Sequence, residues 1–142
     1  MKKFHIVTFL VVLIDRISKI LVDNFLDNKT IDIIKDYFYL TYVKNDGAAF
    51  SILTSQRVLL IVISIAAIIF IHYFVDKYKK KSIGYAFLMG GIIGNLMDRV
   101  VLGAVIDFIG VVIFNYHFPI FNFADIFIVL GAIFILFEKD VK

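Results

Sequence analysis

Val58-Leu59-Leu60-Ile61-Val62-Ile63-Ser64-Ile65-Ala66-Ala67-Ile68-Ile69-Phe70-Ile71-His72-Tyr73-Phe74-Val75 runs for 18 residues without a charge. As a helix it is about 27 Å long, close to the roughly 30 Å hydrocarbon core of a bilayer. The rest of the chain agrees with a membrane setting. Of its 142 residues, 61% are hydrophobic, where soluble domains carry roughly 45–50%. Mean hydropathy is +0.93. The length suits one domain over 1–142. There is no cysteine, which excludes a disulfide framework, a thiolate metal site and a thiol nucleophile. So little polar surface argues against a nucleic-acid partner.

Three further apolar stretches flank this one, giving expected spans at about 4–24, 57–76, 83–99 and 119–138. The first begins after Lys2 and Lys3 and is interrupted by Asp15-Arg16 and Lys19. It has the charged start of a signal peptide but no small-residue cleavage site, so it reads as an uncleaved helix with a polar outer end. The third holds Gly84, Gly90, Gly91 and Gly94, small positions that let helices approach closely. The fourth is expected to start near Pro119, since a helix start tolerates proline's missing N–H. Lysines set the orientation. Lys2, Lys3, Lys77, Lys79, Lys80, Lys81, Lys139 and Lys142 lie outside one membrane face, while the 27–56 loop mixes acids and bases. The positive-inside rule therefore places both termini in the cytoplasm and the loops at about 27–56 and 100–118 outside. In the first of these, Tyr37-Phe38-Tyr39-Leu40-Thr41-Tyr42-Val43 is rich in β-formers and predicts at least one strand. The expected fold is an all-α membrane protein with a small β addition: a four-transmembrane-helix bundle carrying an extracytoplasmic β-sheet cradle.

Two aspartates stand among apolar neighbours, Asp107 in Ala104-Val105-Ile106-Asp107-Phe108-Ile109 and Asp125 in Phe123-Ala124-Asp125-Ile126-Phe127. A carboxylate in low dielectric neutralises, finds a partner or does chemistry. Other polar residues fall at the same outer level: Asp15, Arg16 and Lys19, Asn45-Asp46-Gly47, Asn95, Asp98 and Arg99, and Asn122. Asp15 and Lys19 are four apart, and Asn95 shares a helix face with Asp98 and Arg99. Asn45-Asp46-Gly47 reads first as a turn. Asp98 reads as a structural partner of the adjacent Arg99. His5, His72 and His117 are scattered without ligand spacing, so no metal site is expected. No zinc-protease motif or nucleophile elbow is present. Two close carboxyls share a proton, and such a pair can hydrolyse a peptide with neither metal nor covalent intermediate.

Taken together, Asn45-Asp46-Gly47-Ala48-Ala49-Phe50-Ser51, Gly94-Asn95-Leu96-Met97-Asp98-Arg99, Gly103-Ala104-Val105-Ile106-Asp107-Phe108 and Phe121-Asn122-Phe123-Ala124-Asp125 resemble the lipoprotein signal peptidases (signal peptidase II), bacterial aspartyl proteases. The resemblance spans nearly the whole chain. It implies a catalytic dyad at Asp107 and Asp125, with Asp15, Lys19, Asn45, Gly47, Asn95, Asp98, Arg99, Asn122 and Ala124 supporting it or binding substrate. Arg16 departs from the pattern, which more often has glutamine there. The implied reaction removes signal peptides from prolipoproteins by cutting on the N-terminal side of a diacylglyceryl-cysteine. Membrane lipids and cyclic-peptide inhibitors such as globomycin are implied partners, with no cofactor, in a monomer of the bacterial cell (inner) membrane. A proton- or ion-coupled small membrane carrier is the rival reading. Four short spans without a repeat argue against it.

Overall fold

A computed structural model describes residues 2–26, 29–47, 55–78 and 82–138. Asp27, Lys79, Lys80, Lys81, Lys139, Lys142 and the stretch Ala48-Ala49-Phe50-Ser51, all used in the sequence reading, lie outside the described residues. The described part holds four helices: α1 (Lys2–Leu26), α2 (Arg57–Tyr78), α3 (Ile83–Val101) and α4 (Phe123–Phe137). A sheet adds β1 (Ile31–Ile34), β2 (Phe38–Asn45), β3 (Val105–Ile113) and β4 (Tyr116–His117). It is antiparallel throughout, in the order β1-β2-β3-β4.

The helices turn the usual soluble pattern outward. α2 buries only Leu60, Ser64, Ile71 and Val75; most of its other apolar side chains, Phe70 and Ile69 among them, are exposed, with Ile61, Ala67, Ile68 and Phe74 half-buried. By length and composition alone, α2 is the one helix among the described residues that qualifies as a membrane span; α4 is more apolar but has 15 residues. On α1 the buried residues Phe4, Thr8, Val11, Asp15, Lys19, Val22 and Leu26 recur at steps of three and four, making one continuous stripe. The stripe joins two apolar clusters. One packs Phe4 with Ile71, Val75, Ala86 and Met89; the other packs Val22 and Leu26 with Ile106, Phe108 and Ile109 of β3. Asp15 and Lys19 occupy the stripe between them.

Two sequence expectations change. The stretch at about 100–118 is not a plain loop, because Val105–Ile113 forms β3, buried on both faces over its first six residues. Its β-branched content was the available signal. The fourth helix does not begin near Pro119. Phe121 bridges to Ile109, and Phe108 N and Ile109 N both donate to Phe121 O, at 3.0 and 2.8 Å. Asn122 then caps α4 through a reciprocal capping box with Asp125. Pairing with β3 holds the chain extended until that cap.

The register of β2 on β3 shifts by one residue between Leu40 and Val43. Leu40 faces Ile109, but beyond the shift Val43 faces Asp107 and Asn45 faces Val105. Without the extra residue, Lys44 would lie opposite Val105 and Asn45 would turn to the other face. The bulge therefore puts an amide, not an ammonium, on the face of Asp107.

Helices α3 and α4 meet through glycine. A Cβ on Gly91 would run into the carbonyl oxygen of Ala124 and reach 2.7 Å from Ile128 Cγ1. Gly91→Ala should therefore cost about 1–3 kcal/mol and lower the unfolding temperature in detergent. An unchanged unfolding temperature would show that α3 and α4 separate freely.

Candidate active site

The polar residues singled out from sequence form one connected network. It begins at Lys19, whose side chain has no exposed surface. Its ammonium lies 2.8 Å from Asp15 Oδ2, 2.8 Å from Asp98 Oδ2 and 3.1 Å from Asn95 Oδ1. Three donors thus meet three acceptors, which is the full capacity of an ammonium. Asp15 Oδ1 accepts from the Ala124 backbone N–H at 3.0 Å. A Cβ on Gly94 would reach 2.5 Å from Asp15 Oδ2, so that glycine leaves room for the carboxylate. Asp98 does not pair with Arg99 as expected. Its partners are Lys19, Arg16 and the backbone N–H of Ile106, the last at 3.2 Å. The helix turns Arg99 aside into the cavity, where its guanidinium donates to Gly47 O at 3.2 Å.

From Lys19 the network continues through two amides. Asn122 Nδ2 donates to Asp107 Oδ1 at 2.6 Å and to Asn95 Oδ1 at 3.2 Å. Asn95 Nδ2 in turn donates to Asp125 Oδ1 at 2.8 Å. The two aspartates are therefore linked through Asn122 and Asn95. Asp107 Oδ2 also accepts from Asn45 Nδ2 at 2.9 Å. Asp125 Oδ2 accepts the Asn122 backbone N–H at 3.2 Å, closing the capping box. Asn45 carries the turn too: its Oδ1 accepts Gly47 N–H at 3.0 Å. Gly47 does not need a left-handed backbone, since Gly103 is the one positive-φ glycine among the described residues. The role visible for Gly47 is its carbonyl, which receives Arg99.

Both aspartates line a cavity of about 680 Å³. Asn45, Asp46, Asn95 and Arg99 give it a polar side, and Ile92, Ile128 and Val129 an apolar one. Burial pushes the Asp107 carboxyl up from 3.8 to about 6, the Asn45 amide opposing and the charge of Asp125 adding to the rise. Asp107 thus keeps its proton at a pH where an ordinary carboxyl has lost it. Sequence reasoning missed three contributors: the Arg16–Asp98 pair, the Phe121 bridge that brings Asn122 to β3, and Arg57. Arg57 donates to Arg99 O and Val100 O at 2.8 and 2.9 Å, tying α2 to the end of α3.

With this geometry in view, residues 7–139 match the family described as Signal peptidase (SPase) II. The chain belongs to the signal peptidase II family. A lipoprotein signal peptidase of Listeria monocytogenes is 38% identical over 94% of this chain and 90% of its own length. One from Wigglesworthia glossinidia brevipalpis is 41% identical over 72% of this chain and 71% of its own. A bacterial membrane enzyme solved at 2.3 Å superposes with a TM-score of 0.89 at 30% identity, covering 100% of this chain and 96% of that one. A second, at 1.9 Å, gives 0.86, also at 30% identity, over 99% and 96%. This chain is accordingly an aspartic peptidase and a membrane protein, mostly helical with a small antiparallel sheet. The carrier reading is not favoured.

The Asp107 shift has a consequence for stability. Below about pH 4 the carboxyl is protonated folded or unfolded. Between the ordinary 3.8 and about 6, only the folded state holds the proton. The unfolded state ionises first, so this group makes stability fall as pH rises through that window and level off above it. Asp107→Asn should remove that component, read as a flatter plot of unfolding temperature against pH between 4 and 7 in detergent. A slope identical to wild type would contradict the raised value.

Proposed function

We propose that the chain removes signal peptides from prolipoproteins whose lipobox cysteine already carries diacylglycerol, cutting on the N-terminal side of that cysteine. Signal-peptide removal from prolipoproteins is the work of the family to which it belongs. The observation that carries the finer reading is the amide bridge. Asn122 and Asn95 tie Asp107 to Asp125 at the wall of one cavity.

Asp107 and Asp125 act as the dyad and share one proton. The ionised carboxyl takes a proton from water, which attacks the scissile carbonyl carbon. The protonated carboxyl donates a hydrogen bond to the carbonyl oxygen and then gives its proton to the leaving amine. The amide donors of Asn45, Asn95 and Asn122 favour the ionised carboxyl and hold both side chains in place. Arg99, with its donors in the cavity, contacts substrate carbonyls or a lipid ester. The apolar side beside Ile92, Ile128 and Val129 accommodates the signal peptide's apolar residues, while the diacyl chains stay in lipid.

In this reading all four helices cross the membrane, with the termini cytoplasmic and the sheet lying on the outer side as a cradle. The enzyme is a monomer of the bacterial inner membrane, needs no metal and binds cyclic-peptide inhibitors such as globomycin. The exposed apolar surfaces of α1, α2 and α4 and the lysine distribution support this arrangement.

Asp107→Asn and Asp125→Asn should each abolish release of signal peptide from a diacylglyceryl-modified prolipoprotein while the protein still inserts. The loss should be about 10²–10⁴-fold or more, and near-wild-type turnover in either variant would remove the dyad. Metal chelators should leave wild-type turnover intact. The orientation has its own check. Lys77→Cys should react with a membrane-impermeant thiol reagent only from the cytoplasmic side, and Lys35→Cys only from outside; the reverse pattern would invert the topology.

A further inference from the structure

Arg16 has no place in the reaction described above and does not line the cavity. It stands on α1 beside Asp15, with its side chain 23% exposed, and its Nη1 pairs with Asp98 Oδ1. Asp98 is fully buried. Its other oxygen takes the Lys19 ammonium at 2.8 Å and the Ile106 backbone N–H at 3.2 Å. Ile106 precedes Asp107 on β3. A continuous path therefore runs from the Arg16 guanidinium through Asp98 to the backbone of Ile106, the residue before Asp107.

We propose that Arg16 is a positioning residue for the dyad: through Asp98 it holds the backbone at Ile106, and its charge balances the buried carboxylates behind the cavity. The inference rests on Asp107 and Asp125 as the reacting pair. Without Arg16, Asp98 would be held through one oxygen only, by Lys19 and the Ile106 N–H, and its other oxygen would lose its partner. With Arg16 on one oxygen, and Lys19 and Ile106 on the other, the carboxylate has a single orientation.

The charge count runs the same way. α1 brings Asp15, Arg16, Lys19 and Asp23 to this region, and α3 brings Asp98 and Arg99. β2 and the turn after it bring Tyr42, Lys44 and Asp46, β3 brings Asp107 and α4 brings Asp125. Asp23 is hydrogen-bonded to the Tyr42 hydroxyl. Lys44 and Asp46 are exposed, and solvent screens them. α2 lends the cavity only Ser64, with no charge. The two fully buried carboxylates behind the cavity, Asp15 and Asp98, are thus matched by Lys19 and Arg16. Removing the Arg16 charge leaves an excess anion there, and an excess anion opposes ionisation of the dyad.

The test is the pH dependence of kcat/KM for signal-peptide release by the full-length enzyme in detergent or proteoliposomes, with unfolding temperature as a folding control. Arg16→Gln should displace both limbs to higher pH by about half a unit to one unit and lower kcat more than KM. Arg16→Lys keeps the charge but not the fork. It should leave the limbs in place and lower kcat by roughly threefold or more. A Gln profile that superimposes on wild type, or is lowered without displacement, overturns the proposal. If the Gln variant does not insert, wild-type kcat in the Lys variant overturns it instead. Asp107→Asn run alongside separates the two readings: retained turnover there sinks the dyad and the inference together. An inactive Asn variant with an unmoved Gln profile sinks only the inference.

Discussion

Lys19 carries an ammonium on a side chain with no exposed surface, and the rest of the site is arranged around that fact. A buried charge of this kind survives only when every donor has an acceptor. Asp15, Asp98 and Asn95 supply the three acceptors, from α1 itself and from α3. Removing one partner from such a cluster typically costs about 3–5 kcal/mol, because the others are left buried and uncompensated. The cluster therefore specifies how α1 docks on α3. It also passes that docking on, since Asp15 receives the N–H of Ala124 at the start of α4 and Asp98 receives the N–H of Ile106 on β3.

The two proposed reacting carboxyls come from different kinds of backbone, one in a strand and one in the first turn of a helix. Asn122 reconciles them. Its own backbone and side chain cap α4 together with Asp125, and its side-chain amide reaches across to Asp107 and Asn95. Asp125 thus has a structural duty as a capping residue beside its proposed chemical one at the cavity. The strand side is set just as narrowly. The bulge in β2 turns Asn45 toward Asp107, and the Phe121 bridge delivers Asn122 to the same place. A neutral donor on each Asp107 oxygen leaves the carboxyl free to change charge. A lysine there would hold it ionised.

The helices were largely legible, because a long apolar run is a local property of the chain. So were the polar residues of the network, whose cost in apolar surroundings marks them out whatever the fold. Strand β3 was not. Val105–Ile113 is an apolar run that a strand, a buried loop or a helix end could equally use, and only pairing with β2 and Phe121 chooses among them. The start of α4 was misread for a related reason. Pro119 is a good first helical residue, but the ladder to β3 holds the chain extended three residues further.

Local chemistry is written in residue order: the apolar lengths, the lysines at one end, the isolated aspartates and the asparagines near them. These need no partner to be recognised, since each reflects a transfer cost borne by its own side chain. Who pairs with whom is a different kind of information. Asp98 next to Arg99 in sequence pairs instead with Lys19 and Arg16, about eighty positions away, because a helix sends adjacent side chains about 100° apart. The link between Asp107 and Asp125 likewise depends on two amides and a one-residue bridge. Each of those is a contact between distant segments, so it came into being only when α1, α3, β3 and α4 closed on one another.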